Sequence, residues 1–121
     1  MKLSDINFAV SFTGTINKAG WNQKVNSYKA TLKYNSNKFT INFFQGLGIN
    51  NEPTIESVMN CLLLDSNCTD FDYDEFCGNF GYELNSESKK VYNNCKAQTV
   101  KLNKMFTESE ISEMAVILED Y

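Results

Sequence analysis

The sequence predicts an α+β domain, in which a three-stranded antiparallel sheet from the N-terminal third packs against three to four helices from the C-terminal two-thirds. Up to about residue 45, apolar residues alternate with polar ones, which is the period of half-buried strands. From Pro53 onwards the apolar residues recur at the spacing of amphipathic helices. At 121 residues the chain is expected to form a single domain over 1–121, with the sheet in 1–45 and the helical part in 53–121.

Three alternating stretches predict the strands of this sheet. The first consists of Ile6, Phe8, Val10 and Phe12. It is followed by the turn-forming residues of "TGTINKAGWNQ". The stretches 28–34 and 38–44 alternate in the same way, and the short polar segment "NSNK" joins them. Two such stretches with an Asn- and Ser-rich connection are typical of a β-hairpin, so we expect 28–34 and 38–44 to pair antiparallel.

Start and stop signals predict the helices. A helix over about 54–66 follows Pro53, and a short one begins near Asp72 and stops at Gly81. A long helix is predicted over about 86–106. Its expected buried stripe is Val91, Cys95, Thr99, Leu102 and Phe106, with Tyr92 beside it. The segment "TESE" at 107–110 is a capping box that opens a last helix. The residues expected to be buried in that helix are Ile111, Met114, Ala115 and Leu118.

The composition argues against catalysis and metal binding. The chain has no His and no Arg, and all eleven basic residues are Lys. His is the commonest general base and metal ligand, and without it a nucleophilic Ser or Cys would need a carboxylate or a Lys as its base. The four cysteines include no Cys-x-x-Cys pair, the spacing of zinc and redox sites. We therefore expect no enzyme activity, no catalytic residues, no metal and no cofactor, and reduced, mostly buried thiols.

Two loop motifs also fail their consensus. A calcium loop that begins at Asp65 or at Asp70 lacks the glycine at its sixth position and the glutamate at its twelfth. The segment "QGLG", with Gly46 and Gly48, matches neither phosphate-loop consensus and is not followed by Lys. The glycines are instead expected to allow a sharp exit from the sheet.

The N-terminal residues predict a cytoplasmic location. In "MKLSDINFAVSF" polar residues interrupt the apolar ones, unlike the continuous apolar core of a signal peptide. No stretch approaches the about 18 consecutive apolar residues that cross a membrane, so no membrane partner is expected. No pattern indicates the oligomeric state.

The net charge of −4 is unevenly distributed. Residues 1–60 contain six Lys and three acids, a charge of +3, whereas residues 61–121 contain five Lys and twelve acids, a charge of −7. The acidic excess is densest in "DSNCTDFDYDEF", residues 65–76, which has five carboxylates and no Lys. These are Asp65, Asp70, Asp72, Asp74 and Glu75.

Part of this acidic segment has the pattern of a helix start. With Asp72 as N-cap, Glu75 falls at N3 and completes a capping box. Phe71 and Phe76 then occupy the two positions of a hydrophobic staple. Asp74 adds a favourable charge at the positive end of the helix dipole.

The capping interpretation leaves Asp65 and Asp70 unexplained. A functional interpretation covers all five carboxylates: an array of negative charges that competes with nucleic acid for the basic cleft of a partner. Both interpretations stay open for Asp72, Asp74 and Glu75.

A basic face is predicted on the sheet. The residues expected to face the core are Tyr28, Ala30, Leu32 and Tyr34. Lys29 and Lys33 then point outward, and Lys38 joins them across the hairpin. Lys binds nucleic-acid phosphates as a point charge, so this face is a candidate nucleic-acid surface. The alternative is a solvated face whose lysines discourage edge-to-edge pairing of sheets.

A series of short motifs runs from Tyr28 to Phe106. It comprises a strand pair that ends in Gly-x-Gly, then Pro-Thr, a helix with Cys-Leu and Asp, Phe-Cys, Gly-Tyr, and a helix with Ser-x-Lys and Tyr. The residues are Gly46, Gly48, Pro53, Thr54, Cys61, Leu62, Asp65, Phe76, Cys77, Gly81, Tyr82, Ser86 or Ser88, Lys90 and Tyr92. In this pattern, which covers about two-thirds of the chain, the sequence resembles a family of small phage and mobile-element proteins. Where relatives carry an acid, a Ser and an Arg, this chain has Asn85, Ser86 and no Arg.

The resemblance implies that the protein comes from a phage or mobile element, and it implies less about its activity. Small accessory phage proteins without a catalytic signature are often host-takeover factors, and inhibitors of CRISPR or restriction machinery are prominent among them. We therefore predict a phage-type anti-defence protein, an anti-CRISPR, in the cytoplasm of a bacterial host. It would bind a CRISPR effector or its guide complex through the five carboxylates and block it stoichiometrically. The alternative prediction is a nucleic-acid-binding phage accessory protein that uses Lys29, Lys33 and Lys38.

Overall fold

A computed structural model of the chain describes residues 1–17, 23–49, 51–68 and 70–119. The described residues form a short 3-10 turn, three strands and four helices. In chain order the strands are β1 (Asn7–Asn17), β2 (Lys24–Tyr34) and β3 (Asn37–Gly46), and the helices are α1 (Ile55–Cys68), α2 (Tyr73–Phe80), α3 (Ser86–Met105) and α4 (Glu108–Ile117). An antiparallel sheet followed by helices is the predicted α+β fold, which is thereby confirmed.

The sheet is an antiparallel meander with the strand order β1-β2-β3. Ala30 lies opposite Ile41 in the β2–β3 pair, and both side chains are buried. A two-residue turn joins the strands, and its first residue, Asn35, has a φ of 53°. Asn tolerates this left-handed conformation better than most residues, which is why "NSNK" closes the hairpin. The predicted hairpin is therefore present, and its strands are longer than the predicted stretches.

The prediction that Phe12 lies in the buried face of the first strand is wrong. The side chain is 57% exposed. Its ring makes an edge-to-face contact with Tyr28, with centroids 5.5 Å apart. The buried core residues that the described strands contribute come from β2 and β3, so this part of β1 lies outside the main core. The register shifts between Phe12 and Gly14, so a β-bulge also ends the regular alternation at this point.

Local capping explains where α1 and α2 begin. The Ser57 amide donates to Thr54 Oγ1 at 3.2 Å, and the Thr54 amide donates to Ser57 Oγ at 2.9 Å. Helix α1 thus begins just after Thr54, as predicted, and continues to Cys68. The short helix α2 ends at Gly81, whose φ of 76° is a left-handed conformation that glycine adopts without strain.

The buried stripe of α3 differs from the prediction. Its buried residues are Ser88, Tyr92, Cys95, Gln98, Leu102 and Met105. Most steps in the predicted stripe are four residues long. Four residues turn an α-helix by about 400°, which is more than one full turn, so successive residues of the stripe move around the helix and away from the buried face. Val91 and Thr99 consequently lie at the border of the buried face and are half-buried. The two buried polar residues, Ser88 and Gln98, are invisible to a hydrophobic pattern.

Helix α4 begins at the predicted capping box. The Glu110 amide donates to Thr107 Oγ1 at 3.2 Å, and the Thr107 amide donates to Glu110 Oε1 at 2.9 Å. Met114 and Leu118 are buried and Ile111 is half-buried, as the pattern predicted. Ala115 is exposed, contrary to the prediction, because the contact face of α4 is narrow.

Two clusters of buried side chains hold these elements together. The main core joins β2 and β3 to α1, α3 and α4, with Met59, Leu102 and Met114 at its centre. A smaller core joins α2 to α3 and is built from Phe76, Cys77 and Tyr92. The short acidic helix therefore packs against α3 through an aromatic cluster.

In the part of the chain that the structure describes, no helix is both long and apolar enough to cross a membrane.

Candidate functional site

Four of the five predicted acidic residues lie together on the surface at the start of α2. They are Asp70, Asp72, Asp74 and Glu75, all exposed, and we call them the acidic surface. The Glu75 amide donates to Asp72 Oδ1 at 2.8 Å, and the Asp72 amide donates to Glu75 Oε1 at 3.4 Å. The capping box predicted here is thus confirmed. Asp70 and Asp74 take no part in it.

The carboxylates of the acidic surface form no ion pair with a lysine in the part of the chain that the structure describes. Within the described residues, an ion pair joins the Met1 amino group to Glu113, and none involves the four carboxylates of the acidic surface. The acids of α4 behave differently. Glu113 binds the Met1 amino group, and Glu110 accepts a hydrogen bond from the Tyr34 hydroxyl. The Thr107 amide and the Tyr34 hydroxyl lower the pKa of Glu110. The acids at the start of α2 therefore differ from Glu110 and Glu113, whose carboxylates have partners in other elements.

Aromatic contacts fix the position of the acidic surface. The rings of Phe71 and Phe80 are 6.1 Å apart, and those of Phe76 and Phe80 are 5.2 Å apart. The Tyr92 hydroxyl of α3 donates to the Phe71 carbonyl oxygen at 2.7 Å. The two staple positions therefore contact the same ring, and the segment that carries the acids is tied to the long helix.

The fifth predicted residue, Asp65, lies apart from the acidic surface. It is half-buried on α1, and the Cys95 thiol of α3 lies 3.7 Å from its Oδ1, in hydrogen-bonding geometry. Cys61, Asp65 and Cys68 are spaced four and three residues apart, which places them on one face of α1. That spacing was a signal for an inward-facing group, and the sequence-based interpretation did not use it.

Asp65 borders a cleft of about 340 Å³ between β3, α1, α2 and α3, which we call the α1–α3 cleft. Buried apolar side chains of Val58, Leu62 and Phe76 line it, and the half-exposed Phe80 stands at its edge. Gln98 also lines the cleft and is 6% exposed. Its buried Oε1 has no hydrogen-bond partner among the described residues.

Three cysteines line the same cleft, and their thiols are held in the protonated form. Burial and the neighbouring Asp65 carboxylate raise the pKa of Cys61 and of Cys95 to about 12, and burial raises the pKa of Cys68. Metal ligation and nucleophilic attack both require the thiolate. Among the described residues, no group of three or more Cys, Asp or Glu side chains is arranged to hold a metal ion.

We expect the native protein to protect Cys61 and Cys95 from alkylation. At about pH 8 they should react with iodoacetamide at least about tenfold more slowly than in urea, because only the thiolate attacks. Pulse labelling followed by mass spectrometry of each peptide measures the two rates. Equal labelling in native and unfolded protein would contradict the protection of these thiols.

The same thiols make the stability depend on pH. The folded pKa of about 12 lies above the ordinary value of 9.0. The stability that the protonated thiols contribute is therefore complete below about pH 9 and is lost as the pH rises towards about 12.

The predicted basic residues lie on the opposite face of the sheet from the main core. Lys29 and Lys33 on β2 and Lys38 on β3 are exposed. Lys33 lies directly opposite Lys38 in the strand register. Like charges that face each other across a strand pair are unfavourable, so an anion at this position would relieve their repulsion. We call these three residues the basic face.

No protein-family model matches the chain, and no curated protein and no solved structure shows significant similarity to it.

Proposed function

We propose that this chain is a phage-type anti-defence protein, an anti-CRISPR, that binds a CRISPR effector or its guide complex and blocks it stoichiometrically. In this proposal the chain is a binding protein and not an enzyme. The observation that carries it is the acidic surface, where four exposed carboxylates lie within residues 70–75 and none is paired with a described lysine. The choice of a CRISPR effector as the partner comes from the resemblance to small phage proteins.

The acidic surface suits a partner that normally binds nucleic acid. Such proteins neutralise phosphates with Lys and Arg, so their binding clefts are strongly positive. A surface of carboxylates is attracted to the same cleft, and the attraction raises the association rate. The uneven charge of the chain supports binding through the acidic surface. Residues 61–121 have a net charge of −7 and would face the positive cleft, whereas residues 1–60 have a net charge of +3.

The attachment of the acidic surface also supports the proposal. Binding costs free energy for each side chain and segment that becomes ordered at the interface. The capping box between Asp72 and Glu75 and the ring contacts of Phe71 and Phe76 order this segment before any partner arrives. The backbone that carries the charges is therefore preorganised.

A nucleic-acid-binding accessory protein is the second candidate, and the basic face favours it. Lys29, Lys33 and Lys38 point away from the core on neighbouring strands. If all three lysines contact phosphates, a plot of the logarithm of the binding constant against the logarithm of the salt concentration should have a slope of about −3.

Two binding measurements separate the candidates. Size-exclusion chromatography of the chain mixed with a guide-loaded effector should show a complex of one chain per effector. Gel shifts with the guide RNA and with target DNA alone should show no binding by the chain. The opposite pair of results would favour the accessory protein. The chain would then form no complex with the effector. It would give a salt-dependent gel shift, and the triple variant Lys29→Gln, Lys33→Gln and Lys38→Gln would abolish that shift.

A further inference from the structure

The α1–α3 cleft is lined by aromatic side chains. Phe43 on β3, Phe76 and Phe80 on α2, and Tyr82 just after α2 all border it. The rings of Phe76 and Tyr82 are stacked, with centroids 5.4 Å apart and an angle of 8° between their planes. The cleft volume of about 340 Å³ lies within the range of about 300–1,000 Å³ of known ligand pockets. A flat aromatic molecule would therefore find room and ring surfaces to pack against.

A buried acceptor in this cleft lacks a partner. Gln98 lines the cleft from α3 and is 6% exposed. Its Oε1 is buried and accepts no hydrogen bond from the described residues. A buried acceptor without a partner is costly, and a ligand whose N–H or O–H reaches it removes this cost. Gln98 therefore marks the position at which a ligand would place a donor.

The other polar groups of the cleft are neutral or already engaged. Burial raises the pKa of Cys61 and of Cys95 to about 12 and raises the pKa of Tyr82, so these groups carry no charge at neutral pH. The Cys95 thiol lies 3.7 Å from Asp65 Oδ1, so the Asp65 carboxylate is already engaged within the protein. None of the described lining residues is Lys, and a carboxylate or phosphate ligand would find no counter-charge there. The cleft thus suits an uncharged ligand.

We propose that the α1–α3 cleft binds a small, uncharged aromatic molecule that carries a hydrogen-bond donor on its ring, of the class of indoles and phenols. The ring would pack against Phe76 and Tyr82, and its N–H or O–H would donate to Gln98 Oε1. This ligand site uses none of the four carboxylates of the acidic surface, so it does not depend on the anti-defence proposal.

Indole and benzofuran test the proposal on the unmodified protein. The two bicyclic molecules have nearly the same shape, but only indole donates a hydrogen bond, through its N–H. We expect indole to bind about tenfold more tightly, which corresponds to about 1.4 kcal/mol. Ligand-observed NMR titrations measure both affinities. Equal affinities, tighter binding of benzofuran, or no saturable binding of indole at millimolar concentration would overturn the proposal without any need for a variant.

Replacement of Gln98 locates the donor of the bound ligand. Gln98→Leu should weaken indole binding about tenfold, to the level of benzofuran, because it removes the acceptor and keeps a side chain of similar size. Circular dichroism checks that the variant folds. If Gln98→Leu does not fold, Gln98→Met takes its place with the same expected loss. Unchanged indole binding in the folded variant would overturn the assignment of the donor to Gln98.

Gln45 supplies the matched control. It is 8% exposed, and its Oε1 is also buried without a partner among the described residues. It is not among the described residues that line the cleft. Gln45→Leu should therefore leave indole binding unchanged. If Gln45→Leu and Gln98→Leu weaken indole binding equally, the loss does not come from the cleft and the proposal is wrong.

Discussion

Replacement of Leu102 with alanine is expected to lower the free energy of unfolding by about 3 kcal/mol. Leu102 is 2% exposed and lies in the main core, where α3 meets the sheet. The substitution removes buried methyl groups and leaves a cavity that the surrounding helices fill only in part. Since domains of this size are stable by about 5–15 kcal/mol, the loss is a large share of the total. Urea unfolding followed by far-UV circular dichroism measures it.

Val100 supplies the matched control on the same helix. Its side chain is 52% exposed, and Val100→Ala should change the free energy of unfolding by less than about 0.5 kcal/mol. If the two variants lose stability equally, the buried face of α3 described above is wrong.

Charge reversal in the acidic surface is expected to have the largest effect on partner binding. The double variant Asp70→Lys and Asp74→Lys should weaken binding to the effector by about 100-fold at low salt, mainly through slower association. Asp72 and Glu75 are left intact because their capping box holds the start of α2. Biolayer interferometry at two salt concentrations measures the rates. The difference between variant and unmodified chain should shrink at about 0.15 M salt, where charges are screened beyond about 8 Å.

A second pair of reversals controls for net charge. Glu108 and Glu119 are exposed and lie in and just after α4. Glu108→Lys together with Glu119→Lys changes the net charge by the same amount as the α2 variant. We expect it to reduce the association rate only slightly. If both double variants weaken binding equally, the effect comes from overall charge, and the acidic surface has no specific role.

The helix starts were predictable because caps are local. Asp72 with Glu75 and Thr107 with Glu110 each complete a reciprocal pair of hydrogen bonds within four residues. Such a pattern needs no knowledge of distant contacts. The hairpin was predictable for the same reason, since alternation and the turn at Asn35 specify it together.

Features that depend on tertiary packing were not predictable. The burial of Ser88 and Gln98 follows from how α3 rests on its neighbours, and a hydrophobic pattern cannot show it. The exposure of Phe12 follows from the position of the main core, whose buried strand residues lie on β2 and β3.

The candidate site was predictable only in part. The acidic character of residues 65–76 is evident from composition. Asp65 differs from the other four because it is half-buried on α1 and contacts Cys95, which lies 30 residues away in the sequence, so the acidic composition alone did not reveal its position. The α1–α3 cleft combines residues from four elements, so no single segment of the sequence indicates it.

Titration of a guide-loaded CRISPR effector from the host strain tests the central claim most directly. Cleavage of target DNA is measured while the chain is added at a fixed effector concentration well above the dissociation constant. The proposed function predicts that cleavage falls linearly to background and ends at one chain per effector, whatever the DNA concentration. Full cleavage at a large excess of the chain, or inhibition that follows the amount of DNA instead of the amount of effector, would contradict it.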